Sequence, residues 1–184
     1  MKRVLLLVGV LALVAGIATT AGGSVADPRP EALVRSGTLA QTSAGDVIAD
    51  DGTVPAALAR VVAEELAAEV PLPSGGTFDG IRWEQARGVF SRREIAAMLQ
   101  YNATCQWLRA WRDGREAAVA HAVLADVPRW TAWRGTETSA VLADVASEVA
   151  KGGGATAATM LAACDASQER EQRYAAALGL SPSR

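Results

Sequence analysis

Ser91-Arg92-Arg93-Glu94-Ile95-Ala96-Ala97-Met98-Leu99-Gln100-Tyr101-Asn102-Ala103-Thr104-Cys105-Gln106-Trp107-Leu108-Arg109-Ala110-Trp111-Arg112-Asp113-Gly114 reads as one long α-helix with both ends marked. Ser91 followed three residues later by Glu94 is a capping box. The hydroxyl accepts from the Glu94 N–H, and the Glu94 carboxylate reaches back to the Ser91 N–H. Gly114 supplies the stop after Asp113, because glycine enters the left-handed conformation that ends helices without a steric penalty. A helix this long sets the fold class as mostly α.

Helical signals continue toward the C-terminus. Arg115 to Ala125 resumes helix until Pro128 interrupts it, and Pro128 to Arg134 adds one further turn. Thr138 to Lys151 places Val141, Leu142, Val145 and Val149 on one face. Gly152-Gly153-Gly154 separates it from a last helix, Ala155 to Leu178, with Glu169 and Arg173 in the stabilising i,i+4 order.

Toward the N-terminus, Thr77 to Phe90 is irregular. Its Phe78, Ile81, Trp83, Val89 and Phe90 are too apolar to float, so the loop packs on the body; a short strand or hairpin is weakly signalled. Pro55 opens a helix carrying Leu58, Val61, Val62, Leu66 and Val70, and Pro71-Leu72-Pro73-Ser74-Gly75-Gly76 ends it. Residues 55–180 are therefore predicted to form a single domain, a helical bundle of about five helices. Short connections make neighbouring helices antiparallel. Residues 27–54 are turn formers and small polar residues, and read as a disordered linker.

Residues 1–26 carry the address. Lys2 and Arg3 form a basic head, Val4 to Ala18 is wholly apolar, and Thr19 to Ala26 is small and weakly polar. Those are the three parts of a secretory signal. Ser24-Val25-Ala26 suits cleavage after Ala26. Retention of residues 4–26 as a transmembrane anchor is the alternative, although the apolar core is shorter than the roughly 20 residues a span needs. In both cases the body faces outward, because the basic head stays on the cytoplasmic side. Membrane contact is expected through this segment alone.

The chain has 184 residues, a formal net charge of −2 and 50% hydrophobic residues, many of them Ala. A mildly acidic chain is a poor candidate for nucleic acid. Cys105 and Cys164 are the only cysteines. Outside the cytoplasm two thiols in one folded body usually pair, so a disulfide is predicted.

Trp107 and Trp111 stand i,i+4 on the long helix, with Arg109 and Arg112 beside them; Trp130 and Trp133 stand near Arg129 and Arg134. Two readings compete. The rings and guanidinium groups form a binding surface, or the rings fill the core with arginine stems draped over them. The second is favoured, because Ala-rich helices need large fillers. Asn102, Gln106, Arg109 and Asp113 share a face at spacings of 4, 3 and 4, and either line a groove or form the solvated side. The candidate binding residues are thus Trp107, Trp111, Arg109, Arg112, Asn102 and Gln106.

No catalytic, cofactor or metal residue is assigned. His121 is the only histidine, too few for a nitrogen-rich metal site, and no nucleophile stands at readable spacing from it. Glu84, Glu94, Glu116 and Asp126 could pair as hydrolytic carboxylates only if the fold brought two together. Gly152-Gly153-Gly154 could offer helix N–H groups to an anion, but lacks the strand and Lys of a phosphate loop, so it reads as an interhelix turn. The expected function is an exported cell-envelope protein, non-enzymatic, acting through contacts with an envelope protein or polymer. A secreted hydrolase of envelope polymers and a small-ligand-binding helical domain are the alternatives. The first predicts an exposed apolar or Trp/Arg patch.

Overall fold

The computed structural model describes residues 43–49, 52–83 and 87–179. The signal or anchor segment, its cleavage after Ala26 and most of the linker lie outside the described residues. Those described are mostly α-helical. A four-residue turn of helix, α1 (Ala44–Val47), precedes β1 (Thr53–Pro55), a 3-10 turn (Ala56–Leu58) and α2 (Ala59–Ala67). Then come β2 (Val89–Ser91), α3 (Arg92–Arg112), α4 (Ala117–Asp126), a 3-10 turn (Val127–Arg129), α5 (Glu137–Ala150) and α6 (Ala155–Ala177). Among the described residues no helix is long and apolar enough to cross a membrane.

The capping box of α3 forms as its residue types require. Glu94 N–H donates to Ser91 Oγ at 3.2 Å, and Ser91 N–H donates to Glu94 Oε2 at 2.7 Å. Gly114 follows the helix at φ 69°, in the left-handed region. Glu116, also left-handed at φ 49°, completes the turn, so α4 begins at Ala117 rather than at Arg115.

Helix α3 serves two cores. Its first half places Ile95 and Leu99 against Val47, Val54, Val62 and Trp83. Its second half places Cys105, Trp107, Leu108 and Ala110 against α4, α5 and α6 through Leu124, Leu142, Val145, Val149 and Met160. Ile95, Leu99 and Leu108 are essentially fully buried. Each such side chain contributes about 1.5–3 kcal/mol of transfer free energy.

Residues 43–49 and 52–54, which the sequence reading leaves in the linker, belong to the fold. β1 pairs antiparallel with β2, with Thr53 opposite Ser91, Val54 opposite Phe90 and Pro55 opposite Val89. Val54 has no exposed surface and Val47 is buried. Pairing makes the difference: a three-residue strand has no periodicity of its own and is defined by its distant partner. Trp83 meets Phe90 edge to face, ring centroids 6.5 Å apart, which ties the irregular segment to the same core.

Candidate functional site

The α3–α6 seam brings together several of the residues singled out by sequence. Cys105 and Cys164 stand at disulfide distance, sulfurs 2.00 Å and Cα atoms 5.4 Å apart. Beside them Arg109 donates from Nε to Asp165 Oδ1 at 2.9 Å and from Nη2 to the Cys164 carbonyl at 2.7 Å. Arg112 Nη1 reaches Asp165 Oδ2 at 3.0 Å. Its Nε donates to Asp113, whose carboxylate holds the guanidinium pKa above its ordinary value. The same bond depresses the Asp113 carboxyl. The two arginines therefore clamp α6 onto α3.

Trp107 and the polar stripe are occupied by the loop after α2. Trp107 is buried, and its Nε1 donates to the Pro71 carbonyl at 2.9 Å. Gln106 Nε2 donates to the Thr77 carbonyl at 2.7 Å and to Asn102 Oδ1 at 2.6 Å. Glu116 Oε1 accepts from the Ser74 N–H at 2.8 Å. Trp111 is half-buried and lies against the glycine turn at Gly153. The Trp/Arg/Asn/Gln set thus fastens a loop and a helix, and Trp107 is no part of any surface.

The Gly152-Gly153-Gly154 turn does present helix N–H groups to an anion, and the anion is internal. Glu148, near the end of α5, accepts from the Ala157 N–H at 2.8 Å and from Thr156 Oγ1 at 2.8 Å. These bonds, with the backbone bond to Ala157 foremost, hold its carboxyl below the usual range. A Cβ on Gly154 would fall 2.5 Å from the Glu148 carboxyl carbon, so glycine is what admits the cap. Sequence reading missed it because the capping carboxylate comes from the preceding helix.

Two buried groups on α3 were not foreseen. Gln100 is buried, yet its Nε2 donates to Thr131 Oγ1 at 2.8 Å and its Oε1 accepts from the Ala132 N–H at 3.0 Å. It pins the segment before α5 to α3. Tyr101 has a buried hydroxyl, and burial pushes its pKa up. Near it on α6, burial raises the Glu171 carboxyl; the Ser167 hydroxyl and the charges of Arg109, Arg170 and Arg82 oppose that rise.

Two open features remain. A cleft of about 230 Å³ lies between the end of α2, the first half of α3 and residues 129–131, lined by Leu66, Val70, Trp130, Thr131, Glu69 and Arg129, among others. Glu69 is its one carboxylate. The other is the outward side of α4. Ala117, Ala118, Val119, Ala122 and Ala125 are exposed there, and His121 is the polar residue among them. Among the described residues no group of three His, Cys, Asp or Glu could hold a metal ion. No protein-family model, no curated protein and no solved structure matches this chain.

Proposed function

We propose that the chain is an exported protein of the cell envelope whose folded body acts by contact with another macromolecule. The observation that carries the reading is the outward face of α4. Before Asp126 at the end of the helix, that face carries only Ala, Val and His where a solvated helix would carry charge, and a face of that kind is normally covered. The basic-apolar-small order of residues 1–26 supports export. A cysteine pair at disulfide distance is compatible with an oxidising compartment.

The test is made in intact cells. A photo-crosslinking side chain at Val119 of the full chain should give an adduct, and one at exposed Ala140 on α5 should not. N-terminal sequencing and fractionation of the same material report export. No adduct from α4, or a chain retained inside the cell with reduced thiols, would overturn the reading. A small-ligand role has the cleft in its favour. It takes second place, because about 230 Å³ is below the roughly 300–1,000 Å³ usual for ligand sites.

A further inference from the structure

The cleft between the end of α2 and residues 129–131 is built from elements that are each fixed by contacts of their own. Ala96 and Gln100 of α3 are buried and form its floor. Gln100 bonds Thr131 Oγ1 at 2.8 Å and the Ala132 N–H at 3.0 Å, so the floor holds one wall in place. Asp126 braces the same wall from its other end. Its Oδ1 accepts from Arg129 Nε at 2.8 Å, and its Oδ2 accepts from Trp130 Nε1 at 3.2 Å. The indole and the guanidinium are thereby oriented before any ligand arrives, which lowers the ordering cost of binding.

The two walls differ in charge. On the α2 side, half-buried Leu66 and Val70 are apolar and Glu69 supplies a carboxylate. Among the described residues that carboxylate has no hydrogen-bond or ion-pair partner. The last turn of α2 carries no basic residue, so its carbonyl end adds to the negative side. On the other side, Arg129 commits Nε and Nη2 to Asp126, and neither bond uses Nη1. The N–H donors left on the guanidinium can still bind a carboxylate.

We infer that this cleft binds a free apolar α-amino acid. Its ammonium group lies toward Glu69, its carboxylate toward Arg129, and its side chain against Leu66, Val70 and Trp130. A ligand with a positive charge alone would be opposed by Arg129, and one with a negative charge alone by Glu69; a zwitterion suits both walls. The volume of about 230 Å³, small for an ordinary ligand site, suits a single residue. The site is separate from the outward face of α4 and does not rest on the contact reading. Glu69 and Arg129 are exposed, and exposed ion pairs contribute little, so binding is weak and falls as salt rises.

The experiment titrates L-leucine into the full chain, purified in mild detergent, by isothermal calorimetry at low salt and up to millimolar ligand. Leucine should bind. N-acetyl-L-leucine lacks the ammonium charge and L-leucinamide lacks the carboxylate, so each should bind about two- to fivefold more weakly. Glycine keeps both charges but has no apolar side chain, and it should bind more weakly still. Glu69→Gln should weaken leucine by about the same factor and leave N-acetylleucine no weaker. Arg129→Gln should weaken leucine likewise and leave leucinamide no weaker. Circular dichroism checks that each variant is folded, and the comparison of ligands on the parent chain needs no variant. No heat with leucine, glycine bound as well as leucine, either blocked derivative bound as well as leucine, or variants that bind leucine like the parent would overturn the proposal.

Discussion

Opening the Cys105–Cys164 link should cost a large part of the stability a domain of this size commands. The cysteines are 59 residues apart in sequence. In the chain-entropy account, closing a loop that long removes about 14 cal/mol/K from the denatured chain, or about 4 kcal/mol at 25 °C. Small domains are stable by roughly 5–15 kcal/mol, so the loss is a large fraction. At about 2–4 °C per kcal/mol for a chain of this length, Tm should fall by about 8–16 °C. The assay is urea unfolding followed by far-UV circular dichroism, with and without reductant, and with Cys105 and Cys164 both changed to Ala. The midpoint should fall on reduction. The slope should rise slightly, because the reduced denatured chain exposes more surface. Below the midpoint the helical signal should not change, because Arg109 and Arg112 still hold Asp165 and the Cys164 carbonyl. Equal midpoints for oxidised and reduced protein would refute the reasoning. A helical signal that collapses on reduction without urea would refute its second half, which places the effect in the denatured chain.

Four further changes probe the caps and buried polar groups. Glu148→Gln should destabilise at neutral pH. The carboxyl is depressed in the fold, so its contribution is present above the unfolded value and lost as pH falls through the folded one; thermal melts of variant and parent should converge in acid. Gly154→Ala should act through the same cap, so the double variant with Glu148→Gln should melt close to either single one, a non-additivity that a thermodynamic cycle reads directly. Glu171→Gln should have the opposite sign. Burial raises this carboxyl, so the folded state favours the protonated form, and the variant should melt above the parent at neutral pH and level with it below the ordinary carboxylate range. Gln100→Leu should cost about 1–3 kcal/mol in urea unfolding, since it leaves the Ala132 N–H buried and unpaired.

The helices were legible because their signals are local. Ser91 and Glu94 cap α3 through bonds three residues apart, Gly114 stops it, and Val145 and Val149 mark the inner face of α5 by spacing alone. The cysteine pair was legible from counting. What escaped is non-local. Thr53–Pro55 is a strand only because Val89–Ser91 lies beside it. Glu148 is a cap only because a glycine turn folds α5 back onto the start of α6. Gln100 looks like a surface residue until Ala132 and Thr131 are set against it. At the candidate site, the shared face read from the sequence does bring Asn102 and Gln106 into a hydrogen bond. The spacing could not say that Pro71, Thr77 and Asp165 already occupy Trp107, Gln106 and Arg109. The α4 face drew no attention because alanine is a strong helix former and, in a sequence, looks the same buried or bare.

Because α3 forms a wall of both hydrophobic clusters, neither can melt while leaving the other a complete lining. The N-terminal strand and the C-terminal helix, remote in sequence, thus share one fate. A protease that cuts inside α3 must therefore wait for both clusters to open together.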